Sequence, residues 1–521
     1  MDILSKVTPR QGNSPVPFDI LTATASELRV LLDQHKTTSV EIVKAYLAQI
    51  SKHNKSGAHL NCVNSVVPEK ILLDVASELD RERAKGHLRS PNHGTPFLVK
   101  DSIWTAASFS VTTTAGTYAL KDAVARENAD VVRALVNAGM IMLGKTNLSE
   151  MAGMKGVGGF AGCSVVGGQT QTPYVRGGVD PTDTWLGLST PGGSSSGSAA
   201  SVAAGMAPVA LGTETDGSIL VPSDRASLYS LKLTLGKAPT RGALGYTPFT
   251  DTLGPMTKSP EDVAILLDLL TPIKGKSHRD FLTKSLAGIR IGFLDPAVWA
   301  PTADAVRPDA DFTAQINEEV AAAVDAIEKA GAQVKRNVTL RRFSNEDDKM
   351  FSDLASTDYA NEFAKFAGGL DHGSAKTMAE LVAFNNEHAS ICLPSGTDQR
   401  FLEDALNIHL SDEKYEEYSQ TLRRNNKELG IDKVLREYEV DVIMSIPMGR
   451  TATIAAISGY PVGTVPLGYA RFNGAAYGMS IIAPANAESL ILTIMSAWES
   501  IVLPSRRPPP QLVEQNASEK L

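Results

Sequence analysis

Apolar positions recur at helical spacing in the first part of the chain and give way to short apolar runs separated by turns. Two capping boxes, Thr24…Glu27 and Thr38…Glu41, open the first segments, each placing a hydroxyl where it can bond an N–H three residues on. The second segment carries Ile42, Val43, Tyr46, Leu47 and Ile50 on one face, so residues 1–90 read as an N-terminal helical layer. Next, Thr95–Val99 predicts a short strand ending at Lys100. Asp130–Ala138 predicts a helix stopped at Gly139, and Met140–Leu143 a buried strand ended by Gly144. A Gly/Ser loop over 192–198 leads into an Ala-rich helix at Ala199–Met206 and a strand at Val209–Leu211 that enters a second glycine-containing loop. Ile289–Leu294 reads as a strand, followed by a helix with Ile316, Val320, Val324 and Ile327 at helical spacing. Residues 340–435 are more polar and mainly helical, as a cap on a sheet would be. Val440–Ile446 and Val462–Leu467 read as returning core strands, and Pro508-Pro509-Pro510 as an extended tail. Alternating helices and strands predict a layered α/β fold.

No linker-like stretch interrupts the 521 residues, so the expectation is one domain over 1–521. Within it, 1–90 form the helical layer, 91–300 the catalytic core, 340–435 the helical cap and 436–505 the C-terminal core strands. Hydrophobic residues make up 43% and charged residues 21%, and 42 glycines and 28 prolines supply many turns, the profile of a globular enzyme. A net charge of −8 without a Lys/Arg cluster argues against nucleic-acid and anionic-membrane partners and for a small-molecule substrate. Self-association into a homodimer is left open. Cys62, Cys163 and Cys392 are odd in number and far apart, which fits neither a disulfide framework nor a metal set. Met1–Phe18 has no continuous apolar stretch, so neither a signal peptide nor a membrane span is expected and the cytoplasm is the default location. The terminal Glu519-Lys520-Leu521 departs from the peroxisomal address by its Glu. The sequons at Asn337 and Asn516 matter only on secretion. No His-Glu-x-x-His or paired-cysteine pattern occurs, and no metal or organic cofactor is expected.

The chemistry concentrates in Gly192-Gly193-Ser194-Ser195-Ser196-Gly197-Ser198 and Gly212-Thr213-Glu214-Thr215-Asp216-Gly217-Ser218-Ile219. The first stretch could be a plain Gly/Ser turn, but it leads straight into a helix inside the folded body. A phosphate cradle at that helix start lacks both the P-loop and the Rossmann signature. Read as Gly-x-Ser-x-Gly, residues 193–197 could form a nucleophile elbow with Ser195 as nucleophile and His278, His372, His388 or His409 as base, the reading of an α/β-hydrolase-type esterase. Pro191 spoils the central strand that an elbow must follow. In the second stretch a glycine after a strand lets successive N–H groups of Thr215, Asp216, Gly217 and Ser218 face one concavity, a layout suited to a developing oxyanion with Ser218 at its rim.

Together these stretches resemble the amidase signature family, whose hallmark is a Gly-Gly-Ser-Ser loop, an Ala-rich helix and a Gly-Ser-Ile turn with its serine 24 positions on, the separation of Ser194 and Ser218. Gly94-Thr95-Pro96-Phe97-Leu98-Val99-Lys100-Asp101 resembles the family's catalytic-lysine segment and Leu143–Glu150 its next strand end. Gly459-Tyr460-Pro461 with Thr464-Val465-Pro466 resembles its C-terminal core. The resemblance implies an α/β/α sandwich around a large mixed β-sheet. It further implies hydrolysis of a linear carboxamide or peptide-end amide through an acyl-serine. In that scheme Ser218 is the nucleophile, Ser194, after a cis peptide bond, the bridge, and Lys100 the base. Thr215, Asp216, Gly217 and Ser218 would hold the oxyanion and substrate together with Ser194. A lysine acts as a base near pH 7 only if it falls about three units from roughly 10.4, which burial among hydroxyls can supply. The same Lys–Ser–Ser core serves the ammonia-transferring component of amidotransferases, an alternative that the acidic balance disfavours. Two departures stand out. Asp216 replaces the commoner Gly, resembling the subgroup with bacterial peptide amidase and fungal amidases, and can recognise an amide N–H or cap the turn. Leu220 and Val221 stand where some members have an Arg for an anionic acyl group, which predicts a neutral, partly apolar acyl side. Ser196 for Gly changes no role. Phe363, Phe366 and Phe384 are candidate pocket walls or simple core residues.

Overall fold

The computed structural model describes residues 16–447 and 449–518. The readings of Met1–Phe18 and of Glu519-Lys520-Leu521 therefore fall, wholly or for the most part, outside the described residues. Eleven strands form one sheet: β1 (Val63–Val66), β2 (Pro96–Lys100), β3 (Ile141–Thr146), β4 (Val209–Glu214), β5 (Tyr229–Lys232), β6 (Thr252–Thr257), β7 (Arg290–Phe293), β8 (Gln333–Arg336), β9 (Val442–Ser445), β10 (Val462–Tyr469) and β11 (Ala476–Ile482). Their order is β1-β3-β2-β4-β6-β5-β10-β11-β9-β7-β8. The sheet is mixed. β2 runs parallel to β3 and β4, and β7 parallel to β8 and β9, while the strands between them pair antiparallel. Every residue of β2, β3, β4, β6 and β11 is buried. Strands buried on both faces carry continuous apolar runs, because helices cover each side, which is the α/β/α sandwich that the sequence implies.

Both capping boxes form, with Thr24 and Thr38 bonded to the N–H groups of Glu27 and Glu41, and they open the helices Ala25–Asp33 and Ser39–His53. The helix Asp130–Asn137 stops before Gly139, whose φ of 82° few other residues accept. Four readings need correction. β1 pairs with β3, so the N-terminal layer contributes an edge strand as well as helices. β3 runs through Gly144 instead of ending there, because a Cβ at that position would lie 2.2 Å from the Ser65 carbonyl oxygen of β1; the glycine marks a close approach between strands, not a turn. The Ala-rich helix begins at Ser196, three residues earlier than predicted. The proline tail is not extended throughout: Pro510 opens a helix, Pro510–Ser518, as a residue without an N–H can.

The region 340–435 is helical, led by Asn345–Gly368. It is stitched to the core by a two-stranded ribbon in which Leu370–Asp371 pairs with Val124–Ala125. Phe363 and Phe366 are buried and belong to the core, and Phe384 packs partly buried against it. None stands as an open pocket wall.

Candidate active site

Lys100 at the C-terminal end of β2 and the glycine-containing turn that follows the parallel strand β4 meet the loop 192–198 that leads into the helix Ser196–Ala203. Lys100 closes β2 and its side chain is 0% exposed. Its Nζ donates to Ser194 Oγ at 2.7 Å, to Thr213 Oγ1 at 2.9 Å and to the Thr213 carbonyl at 3.3 Å. Among the described residues no carboxylate forms an ion pair with it, so nothing offsets its desolvation at contact distance. Burial brings its ammonium down to about 7, and the more distant Glu214 and Asp251 partly oppose that fall. Three other buried lysines, Lys145, Lys232 and Lys258, are also lowered by burial. Lys145 bonds the Thr113 hydroxyl at 3.0 Å and Lys232 the Tyr460 carbonyl at 2.8 Å. Of the four, only Lys100 touches a serine hydroxyl, and that contact singles it out.

Ser194 is 3% exposed and follows a cis Gly193–Ser194 peptide bond, and its carbonyl accepts the Ser149 N–H at 3.0 Å. Ser195 points elsewhere. Its hydroxyl donates to the Thr213 carbonyl at 3.1 Å, and its N–H donates to the Ser218 carbonyl at 3.1 Å. It precedes the helix Ser196–Ala203 at the end of an irregular loop, not the end of a strand. None of the four candidate histidines bonds it: His278 bonds Asp268, His388 bonds the Phe384 carbonyl, His409 the Leu406 carbonyl, and His372 lines a separate surface groove beside Arg126 and Asp371. The constellation that a Ser195 elbow needs is not assembled.

Ser218, at 9%, is the most exposed of the three candidate positions Lys100, Ser194 and Ser218. No hydrogen bond joins its hydroxyl to Ser194, but the Ser195 N–H on the Ser218 carbonyl locks the two loops in register. Gly217 has a φ of 76°, the left-handed conformation that turns the chain sharply before Ser218. The N–H groups of Asp216, Gly217 and Ser218 have no hydrogen-bond partner among the described residues, and three successive free donors in one tight turn form an anion-receiving concavity.

Carboxylates clamp that turn from behind. Glu214, buried at the end of β4, accepts the N–H groups of Ile219 at 2.6 Å and Leu220 at 3.1 Å, capping the short helix Leu220–Arg225. Asp251 accepts the Thr215 hydroxyl at 2.5 Å. Asp216 accepts the Thr453 hydroxyl at 2.9 Å; burial pushes its carboxyl up, while Arg450, itself paired with Asp348 at 3.1 Å, pulls it down. Sequence reasoning does not single out Glu214, Asp251 or Thr213 as parts of the site. Glu214 and Thr213 lie inside the motif, where a signal for them exists, whereas nothing in the sequence ties Asp251 to Thr215. Val221 packs beside Gly217 and Gly192, giving the rim an apolar side.

A family model described as Amidase matches residues 41–492. The chain is 30% identical over 93% of its length to a Schizosaccharomyces pombe protein described as an amidase, of which it covers 86%. It superposes on the solved structure of native peptide amidase from Stenotrophomonas maltophilia with a TM-score of 0.82 at 30% identity, covering 94% of this chain and 98% of that one. It is also similar to a glutamyl-tRNA(Gln) amidotransferase component from Natranaerobius thermophilus, 32% identical over 52% of this chain and 52% of that protein.

Proposed function

This chain belongs to the amidase family and is a serine amidohydrolase acting on C–N bonds; within that chemistry we propose that Ser218 is the nucleophile, Ser194 the proton relay and Lys100 the base. The observation that carries the assignment is the 2.7 Å contact between Lys100 Nζ and Ser194 Oγ, made by a lysine with no ion-pair partner among the described residues, while Ser218 is the most exposed serine of the two loops. With Nζ neutral the contact reverses and Ser194 gives its proton to Lys100. Ser194 then takes the Ser218 proton as Ser218 Oγ bonds to the substrate carbonyl carbon. Negative charge moves to the carbonyl oxygen, where the N–H groups of the 215–218 turn receive it, each such donor lowering the barrier by roughly 3 kcal/mol. Collapse breaks the C–N bond, Ser194 gives its proton to the departing amine, and Lys100 returns its own to Ser194, so that Nζ is neutral again. Water repeats the sequence on the acyl-serine and releases the acid.

On the substrate side, we infer a linear carboxamide, with a peptide-end amide as the leading candidate given the similarity to peptide amidase. Val221 beside the loop suits a neutral, partly apolar acyl group, whereas Leu220 is packed into the core. Among the described residues no helix is long and apolar enough to cross a membrane, and the three free thiols fit a reducing cytoplasm. Ammonia release from a C-terminally amidated apolar dipeptide, set against a small dicarboxylic half-amide, tests the acyl preference. The dipeptide amide is expected to show the higher kcat/KM, and a half-amide as best substrate would contradict the reading.

A further inference from the structure

The turn from Thr215 to Ser218 is anchored from a side that takes no part in the proton relay. Asp251 stands immediately before β6, and because Thr252 pairs with Glu214, it lies where β4 passes into the turn. Its Oδ1 accepts the Thr215 hydroxyl at 2.5 Å, and its Oδ2 accepts the N–H groups of Tyr246 and Thr247 at 2.6 and 2.8 Å. Thr247 donates its own hydroxyl to Asp358 Oδ2 at 2.5 Å, and the Tyr415 hydroxyl reaches the same oxygen at 2.9 Å. Asp358 lies on the helix Asn345–Gly368, so an unbroken run of hydrogen bonds connects the cap to the first residue of the catalytic turn. Tyr246 also packs edge-to-face on Tyr359 of that helix, with centroids 4.7 Å apart, which fixes the intervening segment.

We propose that Asp251 is a positioning residue for amide hydrolysis: through Thr215 it sets the aim of the N–H groups that receive the oxyanion, and through Thr247 it makes that aim depend on the cap helix. The proposal rests on the reading of Ser218 as nucleophile. Oxyanion donors work only within about 2.7–3.1 Å of the developing charge, so a turn tethered at its first residue keeps that distance while a free one drifts. The titratable groups facing Asp251 are Glu362, Asp358 and Tyr359 from the cap helix, Tyr246 from its own segment and Lys100 from β2. Burial, with Glu362 adding to it, pushes the Asp251 carboxyl up to about 7 against the pull of its three donors. When ionised, Asp251 favours the protonated form of Lys100.

Full-length Thr215→Val, Thr215→Ser, Asp251→Asn and Ser218→Ala proteins, assayed on a peptide-end amide across pH, separate the possibilities. Thr215→Val is expected to lower kcat about tenfold or more with little change in KM, and Thr215→Ser, which keeps the hydroxyl, to recover most of that loss. Asp251→Asn can still accept the two backbone N–H groups and donate to Thr215, but it carries no charge. Its kcat/KM profile is expected to have its acidic limb displaced to lower pH. Wild-type kcat in Thr215→Val, equal losses in the Val and Ser variants, or an unmoved limb in Asp251→Asn would each overturn the proposal. If Ser218→Ala remains active, the reading of the nucleophile fails; if it is dead while Thr215→Val is unaffected, only the positioning role falls.

Discussion

At the scale of single residues, the proposed site depends on a lysine buried among hydroxyls, with no carboxylate in ion-pair contact among the described residues. In the proposed role Lys100 must be neutral to accept a proton, so kcat/KM is expected to rise with pH through about 7, and Lys100→Arg, charged at any such pH, to lose on the order of a thousandfold or more. The same burial opposes folding. Because the folded-state value lies below the unfolded one, the unfolded chain binds more protons between about 7 and 10.5, and stability contributed by this group grows as pH rises through that window. At neutral pH Lys100→Met is therefore expected to melt at a higher temperature than the wild type while losing activity, and a lower melting temperature would show that the buried amine contributes net stability. The grouping of the candidate residues was legible. Ser194, Ser218 and Lys100 sit in motifs whose spacing survives without a structure, and the structure brings Lys100 against Ser194. Asp251 was not legible, because its partner is 36 positions away and no periodicity links a strand start to a turn in another strand's wake.

At the scale of elements, capping chemistry and periodicity located most helices and strands, and two of the four misreadings fall at glycines. Gly144 reads in sequence as a strand end, yet it lies mid-strand where β1 approaches; a glycine marks either a turn or a close contact, and only the pairing partner tells which. Gly144→Ala would drive a Cβ to 2.2 Å from the Ser65 carbonyl. It is expected to destabilise by about 1–3 kcal/mol, as overpacking does, and denaturant titration would show this as a lowered midpoint with an unchanged slope. Gly197 works alike: its missing side chain lets the helix Ser196–Ala203 start against the Asn147 backbone, which is why that helix begins earlier than its alanines suggest.

At the scale of the whole molecule, the order of strands couples distant parts of the chain. β5 has β6 on one side and β10, from residues 462–469, on the other, so the N-terminal half of the sheet is completed by a strand more than two hundred residues downstream. An α/β layered fold could be read from alternation, but this insertion could not, since strand order depends on packing between segments that share no local signal. Residues 1–285 expressed alone are expected to lack a cooperative thermal transition, because β5, buried in the full chain, would be left as an unpaired edge; a sharp melt from that fragment would mark it as an independent domain. The central claim, that Ser218 is acylated with Lys100 as its base, is tested most directly by intact mass after treatment with a fluorophosphonate-type serine probe. A single adduct on the wild type and on Ser195→Ala, absent from Ser218→Ala and formed much more slowly on Lys100→Ala, is the predicted result, whereas an adduct that persists in Ser218→Ala and vanishes in Ser195→Ala would contradict it.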